Sequence, residues 1–599
     1  MKFPSPALVS QSAVRRLPRP LLWLLCVLYV LAGFIGRHPW KNEDVLAYGF
    51  MQALAQGKTR WLSPELLGLP LEPASSLLPI WLGAAALQLR PQWLDPELAV
   101  RIPFMLLVLL SFMLVWWATY FLARTRDAQP VPFAFGGEAS PVDYGRAIAD
   151  GSVLALIACL GFAQFSHETT ASVVLLAGAS HLLLAFAMGF YHPRQALLAL
   201  LTGSALLVLS GGMQWLAIMG IGAALLSWWM QISHPFDELP GRRPHAATQT
   251  NPVPARWHAW PLMASIAVLL SLLAGHAAGL WHGLLQWPDA NLDQWRSRLR
   301  LLVWFGWPVW PLCLWALWRW RRQIFNRTPS LHLVLPGWLG LVALLGSLGL
   351  YGSSVDRALF IGLPMAATLA AFALPTMRRS VSSLIDWFTL IFFTVCGITI
   401  WVVWTATQTG VPAKPAANVA RLAPEYVPQF SWLAFLVAAA ITIAWLAVVV
   451  WRTGRHRSAL WKSLVLPASG ATWCLVLVMS LWLPMLDYGR SYQPQIDKLA
   501  EHVPADVTCI QPHGLRGPQL AAFSAQTDWP LRPQSDTVQA PGQCTMSMVA
   551  ADQLWRHAPQ LLARGWQQLV RVERPTSQEA IVLFVPAAAG ATPAAAATP

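Results

Sequence analysis

Charge is what this chain has least of. Only 11% of its 599 residues are Asp, Glu, Lys or Arg, while 56% are hydrophobic. A soluble chain carries roughly 25% charged residues, so a soluble globular fold is excluded. Acids are scarcer than bases, 27 against 41. The sequence also has no Walker A loop, no CxxC pair and no HExxH, which removes the phosphate-loop, dithiol and zincin chemistries those motifs carry. Away from the ends of the apolar runs no charged residue is found at mid-depth, where ion-coupled transporters usually need one. No metal-ligating cluster is visible, so no cofactor and no essential metal are expected.

What is present is apolar sequence in long runs. About thirteen segments meet the length criterion for a membrane span: 20–36, 98–123, 147–165, 171–191, 196–210, 213–232, 258–279, 300–318, 331–351, 358–374, 386–406, 431–451 and 463–486. The basic residues, whose excess gives a net charge of +14, sit in short loops between these runs. Alternation from a cytoplasmic N-terminus puts Arg124/Arg126/Arg146, Arg194, Arg242/Arg243/Arg256, Arg319/Arg321/Arg322, Arg378/Arg379 and Arg452/Arg455/Arg457/Lys462 all inside, as the positive-inside rule requires. The charge therefore reflects topology, and nucleic acid is not an expected partner. Arg15, Arg16 and Arg19 precede the first run with no small-residue cleavage site after it, so that run reads as a retained helix and not a signal peptide. The odd count places the C-terminus outside.

The domain reading is a transmembrane region over 1–486 with an outer loop at 37–97, a small periplasmic α/β domain over 487–585, and a disordered Ala/Pro tail over 586–599. In the outer loop, 43–56 (EDVLAYGFMQALAQ) and 75–89 (SSLLPIWLGAAALQL) are too short to span and read as surface helices. Trp281–Leu299 reads as a tryptophan-rich interfacial segment. In the C-terminal region the expected order is helix 494–502, strand 506–511, helix 518–526, strand 544–549, helix 552–564, and strands 566–573 and 579–585. Of seven cysteines, five lie in apolar runs. Cys509 and Cys544 lie in the polar region and are either a disulfide or two free thiols.

The polar residues that could carry chemistry collect on the outer side. Glu43-Asp44 follows the first span, and a carboxylate there can accept a proton from an attacking hydroxyl or amine within hydrogen-bond reach. Arg101 lies where the second span enters the membrane, and Arg357, beside Asp356, opens the tenth. An interfacial arginine either grips a phosphate through its planar fork or snorkels to headgroups. Lys58 and Arg60 are further cations in the loop. Tyr48, Glu72, Glu168, Asp356 and His167 complete the set of candidate substrate contacts, His167 reading either as a base or donor or as a structural hydrogen bond.

In this order the parts resemble the integral-membrane glycosyltransferases of the GT-C fold, and most closely the aminoarabinose lipid A transferases and the related protein O-mannosyltransferase-like family. The stretches that carry the resemblance are Trp40-Lys41-Asn42-Glu43-Asp44, Leu66-Leu67-Gly68-Leu69-Pro70-Leu71-Glu72-Pro73 and Glu97-Leu98-Ala99-Val100-Arg101-Ile102-Pro103. His167-Glu168-Thr169-Thr170 and Arg357–Pro364 match more weakly. The resemblance implies sugar transfer from a polyprenyl-phosphate donor to a lipid A, glycan or protein acceptor at the periplasmic face of a bacterial inner membrane. Inversion at the anomeric carbon and an outer-loop acid as base come with it. Three departures stand out. The family has Asp-Glu where this chain has Glu43-Asp44; strict alignment favours Glu43 as the base, and a one-residue shift favours Asp44. The family arginine after the pair is replaced by Leu46. The family Glu-Lys-Pro-Pro becomes Glu72-Pro73-Ala74-Ser75, losing a lysine for the lipid phosphate that Lys58, Arg60, Arg101 or Arg357 would replace. The alternatives are a transporter or flippase of a lipid-linked substrate, and an inactive scaffold.

Overall fold

A computed structural model describes residues 5–40, 42–72, 76–233, 259–281, 291–324, 330–347, 355–453, 459–538 and 543–587. Lys41, the 73–75 stretch that replaces the family lysine, and most of 281–290 lie outside the described residues. The chain forms two compact units. The first comprises Met1–Ile35, Ile102–Trp401 and Ser431–Leu481; the second comprises Gly36–Arg101, Val402–Phe430 and Trp482–Pro599. The outer loop thus groups with the C-terminal region in the second unit.

The first unit is helical. Among the described residues of the whole chain, eight helices are long and apolar enough to cross a membrane, or nine if one bent pair counts as a single span. The count of thirteen is not reached, for physical reasons that differ by segment. Arg19–Phe34, Pro193–Val208 and Leu331–Leu345 are apolar but only 15 or 16 residues long. The 147–165 segment is two helices, Pro141–Ala158 and Leu160–Phe165, parted where Cys159 is extended. The 300–318 segment straddles a bend of 84° between Leu292–Phe305 and Val309–Ile324. These two breaks satisfy each other. The Leu160 amide donates to the Trp307 carbonyl at 3.0 Å, and the Cys159 thiol donates to the Phe305 carbonyl at 3.2 Å. Irregular backbone at membrane depth survives only where protein supplies such partners. Gly161 permits the contact, since a Cβ there would lie 2.4 Å from the Phe305 ring.

Helices also start earlier than the hydropathy implies. Pro141–Ala158 and Arg379–Thr409 carry Asp150 and Asp386 about two turns inside. Both acids are neutralised. Asp150 accepts from Arg19 at 3.1 Å and from the Trp116 indole at 2.8 Å, and Asp386 pairs with Arg452.

In the second unit the loop forms the expected helices at Glu43–Ala55 and Leu77–Leu89. Two short antiparallel strands lie between them, β1 (Glu65–Leu66) and β2 (Leu69–Pro70). The C-terminal region forms a four-stranded mixed sheet from β3 (Ile510–His513), β4 (Met546–Ala550), β5 (Trp566–Glu573) and β6 (Ala580–Pro586), in the order β3-β4-β6-β5. β3 and β4 are parallel, as a crossover through helix Gly517–Gln526 demands, and the other pairs are antiparallel. Val45 from the loop helix shares one apolar core with Ile510, Leu520, Phe523, Met548 and Ile581. Gly49 makes this possible, because a Cβ there would sit 2.7 Å from that of Ala521. Cys509 and Cys544 are joined in a disulfide. Arg574, nearly inaccessible, donates to the Gly489 and Ser491 carbonyls and to Glu579, tying the segment that follows the last helical span to the sheet.

Candidate functional site

The loop helix separates the two acids at its start. Both stand in its first turn, where the helix dipole favours negative charge. Neighbouring residues on a helix point about 100° apart, and the pair diverges accordingly: Glu43 is exposed, Asp44 only 4% accessible. Asp44 Oδ2 accepts from Arg37 Nη1 at 2.8 Å and from the Trp40 amide at 3.3 Å. The Arg37 side chain is 3% exposed and its guanidinium lies 4.7 Å from the centre of the Trp40 ring, with that of Arg490 at 4.9 Å. A tryptophan between two guanidiniums gains cation–π attraction from both.

A second acid fixes the same loop. Asp487 accepts from the His38 amide at 2.9 Å and the Trp40 indole at 2.9 Å, and meets His38 Nδ1 at 2.6 Å. The carboxylate partner raises the His38 pKa above the ordinary histidine value. Arg101 is buried and pairs with Glu97 one turn earlier at 3.5 Å. The charges that act on Arg101 are those of Arg37, Asp44, Glu97 and Asp95. Tyr48, one turn after Asp44, is buried, and burial pushes its phenol well above the usual tyrosine range. Within this unit the structure therefore brings together Asp44, Tyr48 and Arg101 of the sequence candidates. Lys58, Arg60 and Glu72 are exposed.

The remaining candidates belong to the first unit. Arg357 pairs with Glu168 at 3.1 Å and donates to Ser172 Oγ at 2.6 Å and Thr170 Oγ1 at 3.3 Å. The Asp356 carboxylate accepts the Arg357 amide at 3.0 Å. His167 is turned inward. Its Nε2 is 2.9 Å from the Tyr29 carbonyl, its Nδ1 faces Ser166 Oγ and the Ala163 carbonyl, and its ring packs on Tyr29 and Phe34. Both nitrogens are used within the helix packing, which is the structural hydrogen bond that stood as the alternative reading of His167. Gly33 lets the ring approach: a Cβ there would lie 2.2 Å from it.

Sequence reasoning assigned no role to Arg37 or Asp487, although both flank apolar runs as Asp44 and Arg101 do. A search for every charge at the first residues beyond a span would have found them. Chemically, the Asp44 cluster offers a carboxylate held in one orientation with cations beside it. That arrangement can accept a proton and can stabilise negative charge growing on a neighbouring group. Among the described residues no group of three or more His, Cys, Asp or Glu is placed to hold a metal ion.

No family model matches the chain, and no curated protein matches it. Two solved structures do. One is ArnT from Cupriavidus metallidurans bound to undecaprenyl phosphate, at 15% identity and TM-score 0.59, over 95% of this chain and 98% of that one. The other is the same protein in the apo state, at 14% identity and TM-score 0.60, over 94% and 97%. The chain thus shares the fold of that ArnT along nearly its whole length: a multi-pass helical region with a small C-terminal sheet domain.

Proposed function

We propose that the protein transfers a sugar from a polyprenyl-phosphate donor to a lipid A, glycan or protein acceptor at the periplasmic face of a bacterial inner membrane. The observation that carries this is the buried Asp44 carboxylate, held through Oδ2 by Arg37 and the Trp40 amide. Polyprenyl phosphate enters the reading because the ArnT of like fold was solved bound to undecaprenyl phosphate.

In the proposed step Asp44 takes the proton of an acceptor hydroxyl or amine. The acceptor's oxygen or nitrogen attacks the anomeric carbon, and the bond from that carbon to the phosphate oxygen breaks with its electron pair. Configuration inverts, and the polyprenyl phosphate leaves with one more negative charge. Arg101, within reach of the Asp44 charge, is the cation assigned to that developing charge. Arg357 is the second candidate for donor phosphate, through the fork now shared by Glu168, Thr170 and Ser172.

The test is transfer by purified protein in nanodiscs, from a panel of radiolabelled polyprenyl-phosphate sugars to extracted envelope acceptors. Asp44→Asn should abolish product while labelled donor still binds. Unchanged turnover in both Asp44→Asn and Glu43→Gln would defeat the proposal. Movement of lipid-linked sugar across the bilayer without covalent product would replace it with a flippase.

A further inference from the structure

At one end of the C-terminal sheet a cavity of about 420 Å³ opens among Arg516, Gln519, Asp552, Ser577, Gln578 and Glu579. That volume lies in the range, roughly 300–1,000 Å³, of pockets that hold small molecules. The topology brings these residues together. Arg516 and Gln519 lie where β3 leads into helix Gly517–Gln526, and Asp552 follows β4. β3 and β4 are parallel, so both deliver their following loops to the same end. Ser577, Gln578 and Glu579 precede β6, whose Ile581 pairs with Ala550 at the close of β4. The crevice beyond the carboxyl ends of parallel strands is where open α/β sheets bind ligands.

The lining is polar and its charges are balanced. Arg516 donates to Asp552 at 2.7 Å and stands 4.0 Å from Glu579. Glu579 in turn accepts from Arg574 and from the Tyr492 hydroxyl, both at 3.4 Å. The cluster holds two guanidiniums and two carboxylates, so it has no net charge with which to draw in an anion or a cation. What it offers instead is hydrogen bonding of both kinds side by side. The carboxylates only accept, the guanidinium only donates, and the glutamine amides and the Ser577 hydroxyl do both. Gln519 is 3% exposed. Its carbonyl oxygen accepts the Arg516 amide at 3.0 Å, which commits that oxygen and keeps the NH2 group as a donor on the pocket wall. Neighbouring hydroxyls, each donating and accepting at once, match such a wall. A phosphate only accepts, and it would meet the two carboxylates face on.

We propose that this cavity is a saccharide-binding site, taking a neutral sugar unit whose adjacent hydroxyls bridge Arg516, Asp552 and Glu579. The site goes beyond the transfer reaction, since no step assigned to Asp44 or Arg101 passes through it.

The test is saturation-transfer NMR on the full-length protein in nanodiscs free of glycoside detergent. The probes are the methyl glycosides of glucose, galactose and mannose, with methyl glucuronide as the anionic control and methyl glucosaminide as the cationic one. At least one neutral glycoside should receive saturation, and neither charged control should bind better than the neutral glucoside. Arg516→Ala and Asp552→Ala should each weaken binding about tenfold, the worth of one hydrogen bond to a charged group. Their side chains are 61% and 47% exposed, so the fold should survive the loss of the pair. If either variant misfolds, Gln578→Ala, at an exposed position, takes its place with an expected loss of about threefold. Asp44→Asn should leave glycoside binding unchanged whatever it does to transfer, so the two proposals fail separately. Binding that survives these pocket substitutions, a preference for either charged control, or no saturation of any neutral glycoside would overturn the proposal.

Discussion

Arg37–Asp44 in the second unit and Arg357–Glu168 in the first both join an arginine to a carboxylate, yet they are built differently. The first spans seven residues, and its side chains are 3% and 5% exposed. The second joins distant parts of the sequence, and its side chains are 18% and 23% exposed. Arg37 has an aromatic face against its guanidinium; Arg357 has one too, Phe165 at 5.0 Å, but also two hydroxyls on its fork. A dry, locally closed pair is a fixture: its geometry is set before any ligand arrives. A half-wet pair with neutral co-ligands can exchange them, since serine and threonine oxygens are replaced by phosphate oxygens at little cost in charge. On this contrast the proposed roles divide, with Asp44 as the positioned base and Arg357 as the cation that adapts to substrate.

The largest effects should appear in turnover. Asp44→Asn should lower kcat by about 10²–10⁴-fold, the usual reach of general-base catalysis, whereas Glu43→Gln, one residue away on the exposed face, should stay within about threefold. Glu168→Gln should cost less than Asp44→Asn and act mainly on KM. Steady-state transfer assays on the three variants decide this; a Glu168→Gln defect as large as that of Asp44→Asn would erase the distinction between the two pairs.

Stability should separate the pairs next. Arg37→Ala removes a buried hydrogen-bonded partner of the Asp44 carboxylate, which costs about 3–5 kcal/mol. Arg357→Ala removes a partly solvated pair, worth about 1 kcal/mol. Denaturant titration in one detergent measures both, and similar losses would mean that exposure does not govern these sites. Arg357→Lys sharpens the point: it keeps the charge but loses the fork, so donor KM should rise about tenfold with the melting temperature nearly unchanged.

The fixture was only half legible in the sequence. Glu43-Asp44 stands out because acids are rare, and the helix it opens, Glu43–Ala55, is local enough to be read from periodicity. The C-terminal strands and helices were legible for the same reason, each falling within a few residues of its expected place. Asp487 was not, because its meaning depends on His38, 449 residues away. The two broken helices were hidden likewise: hydropathy continues smoothly through Cys159 and Trp307, and only the hydrogen bonds between the breaks reveal them. Charge scarcity singled out the candidate acids; the partner of each charge is tertiary information.

The smallest effect concerns His38, which holds the loop between the two members of the fixture. Its folded pKa is raised by Asp487, so folding binds its proton more tightly than the unfolded chain does. The stabilisation is then fully present below the unfolded value of about 6.5 and is lost as pH rises through the folded pKa. The His38 side chain is 42% exposed, so solvent screening holds the effect to about 1 kcal/mol or less. The difference in stability between wild type and His38→Gln, measured by denaturant titration from pH 5.5 to 8.5, should be greatest at the acid end and shrink towards the alkaline end. Asp487→Asn should flatten that dependence, because an amide cannot favour the imidazolium as a carboxylate does. A difference that grew with pH would mean that His38 binds Asp487 as neutral imidazole, donating from Nδ1–H beside the Trp40 indole and the His38 amide.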